Sequence, residues 1–276
     1  MAAKKLKASE KSAILTKMVG KLKKRYGSKP PEADRPVLET FIYAACLEDT
    51  TDEAAEAAYA RLLDQFHDMN EIRVSLISEI ERTLDALDEP ALRARRVREG
   101  IQHFFEEHFN FDLEPLKKKT QDSASEEIGA APFVTPFMKN YTLSAGLGAH
   151  AVPLDDRQTA LLKWVGLVDP ETGTAEAADE IKSATRKADV PLLAFLMRQA
   201  ASEPAVVDVV TGFEPDEGEE LDAAKRAAKI DDLIDGKIEA AAPRRKAAPK
   251  KSTKKAVAKK KAAPKKKAAK KAAAKK

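Results

Sequence analysis

Cysteine and aromatic residues are scarce in this sequence. Only one of its 276 residues is cysteine, and aromatic residues make up 5%. The lone Cys46 excludes a disulfide framework, a zinc site of several cysteines and a four-cysteine iron–sulfur cluster, so we expect no cofactor. The chain also lacks a run of 18 apolar residues, and its first residues are charged where a signal peptide would be apolar. We therefore expect a soluble protein of the cytoplasm with no membrane contact.

Charge is plentiful but unevenly distributed along the chain. Residues 241–276 contain 17 Lys and Arg and no acid, and residues 1–25 contain nine Lys and Arg and one acid. Residues 26–240 carry a formal charge of −21, although the whole chain has a charge of +4. An acidic body between two basic ends predicts a polyanionic partner that is reached by the ends.

The last 36 residues consist almost entirely of Lys, Ala and Pro. They lack the apolar surface needed to fold alone, which predicts a disordered tail similar to those of linker-histone-like and bacterial nucleoid proteins. We expect this tail to bind DNA phosphates independently of sequence and to associate the protein with the nucleoid. A solubilising tail, or one that folds back on the acidic body, is the alternative. The predicted DNA-binding residues are Lys250, Lys251, Lys254, Lys255, Lys259, Lys260, Lys261, Lys265, Lys266 and Lys267.

Apolar residues in the body recur at helical spacing, which predicts an all-α fold of roughly ten helices. Asp52 is the predicted N-cap of the third helix, and the helical pattern weakens between residues 110 and 136. The predicted helices cover residues 14–22, 37–47, 52–66, 72–87, 90–109, 137–147, 156–167, 175–188, 191–201 and 219–242.

Familiar catalytic and phosphate-binding motifs are absent. The four histidines are scattered, which favours ordinary surface or partly buried histidines over a metal site.

The most informative stretch is residues 132–164, in which Asp155 stands where a helix begins. Asp155 or its neighbour Asp156 either simply caps this helix or is a functional carboxylate. The helix N-terminus predicts a lowered pKa for Asp155.

This stretch resembles the catalytic domain of endonuclease III and the wider helix-hairpin-helix DNA glycosylase superfamily. There, a Leu-Pro-Gly-Val-Gly-Arg-Lys hairpin precedes a helix, a Phe-Gly turn and a Val-Asp-Thr-His segment that carries the catalytic aspartate. Laid without a gap, this pattern places its proline on Pro132 and its aspartate on Asp155. Residues 37–63 resemble the family's early helix, Ala-Thr-Asp turn and following helix, with the turn at Thr51 and Asp52.

The resemblance covers about residues 12–200 and implies an all-α, two-lobed glycosylase-like domain. We therefore assign residues 12–205 to this domain, residues 206–240 to an acidic, charged helical linker and residues 241–276 to the disordered basic tail.

The sequence also departs from the family pattern. Phe133 and Thr135 replace the two hairpin glycines, which restricts the approach of backbone amides to a DNA phosphate. Phe137 stands at the position of the nucleophilic lysine, and Asp49 at that of an intercalating glutamine. Lys139 becomes the nucleophile only if the alignment is shifted by two residues.

The resemblance implies a DNA-binding base-excision-repair protein in which Asp155 is the catalytic carboxylate. Without a lysine nucleophile the family's Schiff-base lyase step is lost, and a monofunctional glycosylase is left. Tyr43, Tyr141 and Trp164 are either the wall of a pocket for a flipped base or core aromatics. The alternatives are a non-catalytic DNA-binding or nucleoid-associated protein on a degenerate glycosylase fold, and a helical scaffold that recruits a basic protein.

Overall fold

The fold is all-α in the part of the chain that this computed structural model describes, which comprises residues 6–30, 34–213, 215 and 221–238. Fourteen α-helices lie within these ranges, more than the ten predicted, together with two short 3₁₀ helices and one π-helical turn at Thr142–Gly146. The α-helices are α1 Ala8–Tyr26, α2 Val37–Leu47, α3 Asp52–Gln65, α4 Met69–Val74, α5 Ile77–Thr83, α6 Pro90–His108, α7 Gln121–Gly129, α8 Pro136–Tyr141, α9 Asp156–Val165, α10 Thr174–Ala184, α11 Val190–Ser202, α12 Pro204–Val210, α13 Ala223–Ala228 and α14 Ile230–Ile234.

These helices form two lobes, each around its own hydrophobic core. The N-terminal lobe contains α2 to α8 and includes the fully buried rings of Phe41, Phe104 and Phe137. The C-terminal lobe contains α9 to α14. It also includes α1 from the start of the described chain, because Met18 and Leu22 lie fully buried in its core. The predicted two-lobed, all-α architecture is confirmed.

Helix α2 lies at the centre of the N-terminal lobe, and ten of its eleven residues are buried. Helix α6 crosses it closely at Gly100, where an added Cβ would lie 2.4 Å from Cε1 of Phe41. Glycine is therefore required at this crossing, since two well-packed elements leave no space for a methyl group.

The end of α2 is held by Arg93 from α6. The buried Arg93 guanidinium donates hydrogen bonds to the carbonyl oxygens of Ala45 and Glu48, both at 2.7 Å. These carbonyls would otherwise be unsatisfied at the helix C-terminus. Arg93 thereby fixes the start of the turn at residues 48–51, which reaches the boundary between the lobes.

Several predicted helix boundaries were wrong for local reasons. Thr51, not Asp52, is the N-cap of α3, because its side chain accepts a hydrogen bond from the Ala54 N–H at 3.2 Å. The single helix predicted over residues 72–87 is divided into α4 and α5. The break follows Ser75, whose hydroxyl donates to the Glu71 carbonyl at 2.7 Å. Helix α7 lies in a segment without predicted structure and is capped by Thr120.

Residues 206–240, predicted as a charged linker, contribute to the C-terminal lobe where they are described. The end of α12 and all of α13 and α14 lie in this segment, and Val206, Ile230 and Leu233 are fully buried in the lobe's core. The acidic residues of the segment lie between these apolar positions. Its charged composition therefore indicated a linker, although its apolar residues pack in the core. The tail predicted at 241–276 lies outside the described residues.

Candidate functional site

The two separated segments that resemble the glycosylase family meet at the boundary between the lobes. The backbone N–H of Asp49, in the turn after α2, donates to Oδ2 of Asp155 at 3.3 Å. In return, the N–H of Arg157 in the first turn of α9 donates to Oδ1 of Asp49 at 3.1 Å. The hairpin between α7 and α8 joins them, since the Thr135 side chain lies against the Glu48 carboxylate. Three chain segments are therefore linked at this boundary, and two of them meet at Asp155.

Asp155 is the N-cap of α9. Its Oδ1 accepts a hydrogen bond from the Gln158 N–H at 2.7 Å, while the Gln158 side chain accepts one from the Asp155 N–H at 3.0 Å. This reciprocal pair is a capping box, which satisfies helix N–H groups that lack partners within the helix. Since Oδ2 takes the Asp49 N–H, both carboxylate oxygens accept a backbone hydrogen bond. Asp155 is only 2% exposed.

The electrostatic environment of Asp155 differs from the one expected at a helix N-terminus. Burial, followed by the negative charge of Asp49, raises the pKa of Asp155 to about 7. The hydrogen bond from Gln158 and the positive charge of Arg198 act in the opposite direction but are weaker. The predicted lowering was wrong because the loss of hydration disfavours the charged carboxylate more than the helix end favours it. Burial also raises the pKa of Asp49.

A second polar cluster joins the lobes beside this pair. Arg198 of α11 donates from Nη2 to Oδ1 of Asp52 at 2.9 Å and from Nε to Oδ2 at 3.2 Å. Gln199 donates to the same carboxylate at 2.8 Å. Within the described part of the chain, Nη1 of the buried Arg198 has no hydrogen-bond partner. Sequence reasoning missed this cluster, although a single arginine among the apolar residues of α11 was a signal.

Of the three proposed pocket aromatics, Tyr43 and Tyr141 lie together and Trp164 lies in the other lobe. Tyr43 is buried in the N-terminal core, where its ring centroid lies 5.6 Å from that of Tyr59 and 6.1 Å from that of Tyr141. Trp164 is buried in the core of the other lobe and is covered by the Arg226 guanidinium. Core packing accounts for Tyr43 and Trp164, while the partly buried Tyr141 packs against the N-terminal core.

The two candidate nucleophile positions, two residues apart in α8, have different surroundings. Phe137 is 1% exposed and stacks on Tyr141 at a centroid distance of 5.8 Å, so that position is filled by a core side chain. Lys139 lines a groove of about 230 Å³ with hairpin residues that include Val134 and Thr135, and with Asp179 of α10. Asp155 is not among the residues that line this groove. The ten tail lysines predicted to bind DNA lie outside the described residues.

The hairpin keeps the backbone geometry of a glycine at one of its two substituted positions. Phe133 has φ of 60°, in the left-handed region that glycine adopts readily. Thr135 instead has φ of −93° and caps α8 by accepting the Met138 N–H at 3.1 Å. The backbone of Thr135 is therefore restricted as expected for a residue with a Cβ atom, whereas Phe133 retains the left-handed conformation of a glycine.

Neither a metal site nor a membrane span is found in the described ranges. No group of three or more His, Cys, Asp or Glu side chains there could hold a metal ion. The helices of this part are also too short or too polar to cross a bilayer.

Comparison with solved structures identifies the fold. The chain is similar to an endonuclease III trapped as a covalent intermediate with DNA, with a TM-score of 0.54 and 14% identity over 68% of this chain and 84% of that one. It is also similar to the 8-oxoguanine glycosylase/lyase of Clostridium acetobutylicum in complex with DNA, with a TM-score of 0.53 and 13% identity over 71% and 70% of the two chains. A thermostable thymine-DNA glycosylase gives a TM-score of 0.53 and 11% identity over 70% and 86%.

No protein-family model matches the sequence, and no curated protein matches it. At these low identities the likeness establishes the fold alone. The described body has the helix-hairpin-helix glycosylase fold, in a divergent form, and the resemblance read from the sequence is confirmed at that level.

Proposed function

We propose that this chain is a DNA-binding base-excision-repair protein that removes a base by hydrolysis, with Asp155 as its catalytic carboxylate and without a lyase step. The observation that carries the proposal is the position of Asp155. It lies where the α2–α3 turn meets the start of α9, with the hairpin packed against that turn, and its pKa is raised to about 7. A carboxyl group with a pKa near the working pH is well suited to accept a proton during catalysis.

The proposed reaction uses the ionised form of Asp155. The bond between the base and C1′ of the sugar breaks, and the base leaves with the bonding electrons. The carboxylate stabilises the positive charge that develops on the sugar. Water then bonds to C1′ and transfers a proton to Asp155. The Gln158 N–H and the Arg198 charge favour the ionised carboxylate that begins this sequence.

Access to Asp155 requires a local movement. The residue is 2% exposed, and the Asp49 N–H covers Oδ2. A nucleotide reaches this oxygen only when the turn at 48–51 separates from α9, which breaks the hydrogen bonds of 3.3 and 3.1 Å that join Asp49 to Asp155 and Arg157. DNA binding must supply the free energy for this separation.

Two features support the absence of a lyase step. A Schiff base requires an amine, and the family's lysine position is occupied by the buried ring of Phe137. The nearest candidate amine in the sequence, Lys139, lines a separate groove. The basic tail is proposed to supply sequence-independent affinity for DNA and association with the nucleoid, because it contains 17 Lys and Arg and no acid.

The test is single-turnover release of bases from a panel of damaged and mismatched duplexes. Asp155→Asn keeps an oxygen that can cap α9, so the variant should remain folded while release slows by about 100-fold or more. Asp156→Asn is the matched control, since Asp156 is the exposed neighbour on the same helix turn. Equal rates in the two variants, or no release from any duplex by the unaltered protein, contradict the proposal.

A non-catalytic DNA-binding protein is the second candidate, and a specific observation favours it. Both oxygens of Asp155 already accept backbone hydrogen bonds, so capping α9 and joining the lobes account for the residue. This candidate predicts that deletion of residues 241–276 removes nearly all DNA affinity and that Asp155→Asn changes DNA affinity little. Tight binding of abasic duplex by the shortened protein would exclude it.

A further inference from the structure

Phe133 is exposed in a backbone conformation that disfavours it. The residue lies in the hairpin between α7 and α8, is 47% exposed and has φ of 60°. A bulky side chain is sterically disfavoured in the left-handed region, and glycine would form the same turn without strain. Neither burial nor backbone geometry explains why phenylalanine stands here. Sterically disfavoured residues that persist are often found at functional sites.

Arg95 of α6 lies over this ring. Its guanidinium carbon lies 4.4 Å from the centroid of the Phe133 ring, and Arg95 is itself exposed. Within the described ranges Arg95 forms no ion pair, and its contact there is with this ring. A guanidinium that stacks through its flat face keeps its N–H donors at the edge free for an anion.

The pair is linked to the Asp155 site through the hairpin and the α2–α3 turn. Phe133 is two residues before Thr135, whose side chain lies against Glu48. Glu48 precedes Asp49, which contacts Asp155. The exposed aromatic ring is therefore on the hairpin that contacts the α2–α3 turn, and this turn contacts the proposed catalytic carboxylate.

We propose that Phe133 and Arg95 form a platform on which an unpaired DNA base stacks, with the edge of the Arg95 guanidinium contacting a neighbouring phosphate. An aromatic ring accepts any base, because every base has a flat π face, and an arginine adds a charged contact. The hairpin would then hold DNA through a side chain in addition to its backbone. This inference rests on the proposed function only in taking DNA as the partner.

The test is equilibrium binding of full-length protein to two duplexes of equal length, one fully paired and one with a single bulged nucleotide. Salt is raised until non-specific binding is weak. The unaltered protein should prefer the bulged duplex by about tenfold, a typical effect of stacking one base on an aromatic ring. Phe133→Tyr should retain this preference, and Phe133→Leu should abolish it.

Two further variants separate stacking from stability. Phe133→Gly suits the backbone, so its loss of preference could not be attributed to strain or unfolding. Phe109→Leu is the matched control, because Phe109 is also exposed (81%) and left-handed, with φ of 55°, but lies at the end of α6. It should keep the full preference.

Equal affinity of the unaltered protein for the two duplexes overturns the inference, as does a preference that survives in both Phe133→Leu and Phe133→Gly. An equal loss in Phe109→Leu overturns it too. Because binding is measured without base release, these results leave the role of Asp155 untouched. Conversely, a bulge preference in a protein that releases no base contradicts the catalytic proposal alone.

Discussion

Asp49 and Asp155, 106 positions apart, share the N-terminus of one helix. Asp155 accepts the N–H of Gln158, Asp49 accepts the N–H of Arg157, and the Asp49 N–H donates to Asp155 at 3.3 Å. Because Asp49 belongs to the N-terminal lobe and α9 to the C-terminal lobe, the two carboxylates connect the lobes. Their mutual repulsion makes this connection depend on protonation.

Stability should fall as pH rises from about 4 to about 7, in part because of Asp155. The pKa of Asp155 is raised in the folded protein to about 7, against about 4 for an unperturbed aspartate. The folded state therefore binds this proton more tightly than the unfolded state, and the stabilisation is lost as the proton leaves. Urea unfolding across this pH range should show a shallower fall in Asp155→Asn. Identical slopes in the two proteins would mean that Asp155 ionises normally.

Removing only one partner of the ion pair between Arg198 and Asp52 should destabilise the folded protein strongly. Arg198→Met leaves the largely buried Asp52 carboxylate without its charge partner, which should lower the free energy of unfolding by about 3–5 kcal/mol. Adding Asp52→Asn should restore much of the loss, as a double-mutant cycle by chemical denaturation would show. Arg186→Met, which removes an exposed pair with Asp189, should have no measurable effect. An equal loss in both single arginine variants would argue against a special role for Arg198.

Deletion of residues 241–276 should change the salt dependence of DNA binding. If about 6–10 of the 17 tail charges engage phosphates, log K against log salt should have a slope of about −5 to −9, most of which disappears with the tail. Gel-shift titrations at several salt concentrations provide the measurement, and Asp155→Asn should retain the slope. An unchanged slope after deletion would assign the phosphate contacts to the body.

Borohydride should trap no covalent complex between the unaltered protein and abasic DNA. Phe137 offers no amine, and its burial means that Phe137→Lys would place a charge in the N-terminal core and destabilise the lobe. The informative variant is therefore Lys139→Ala. A complex that is trapped with the unaltered protein and lost in Lys139→Ala would show that the shifted alignment is correct and that the lyase survives.

The parts of the fold that could be predicted are those with long, regular apolar spacing. Helices α1, α2 and α6 were located to within a few residues, apart from the extra N-terminal turns of α1. In α1 and α6 the buried positions recur every three or four residues, and α2 is almost wholly apolar and buried. Helix α12 was missed because it is short and begins at a proline directly after α11. The helical conformation of so short a segment is stabilised mainly by its contacts with the rest of the lobe, which local sequence does not show.

The site was only partly predictable. The family resemblance located Asp155 at the start of a helix and Asp49 in the turn after α2, each from local sequence. It could not show that they touch, or that burial reverses the expected pKa shift of Asp155. The pairing of Arg198 could not be predicted for the same reason. A charged residue in an apolar helix indicates that a partner exists, but local sequence does not identify it.

The position of α1 has a consequence for the order in which the protein folds during synthesis. Its apolar face packs against α10, α11, α13 and α14, all of which leave the ribosome long after it. The N-terminal lobe, α2 to α8, is synthesised in between and can collapse first because its core is complete without α1 or the last helices. Until the last helices emerge, the core that buries Met18 and Leu22 is incomplete, so α1 exposes part of its apolar face during synthesis.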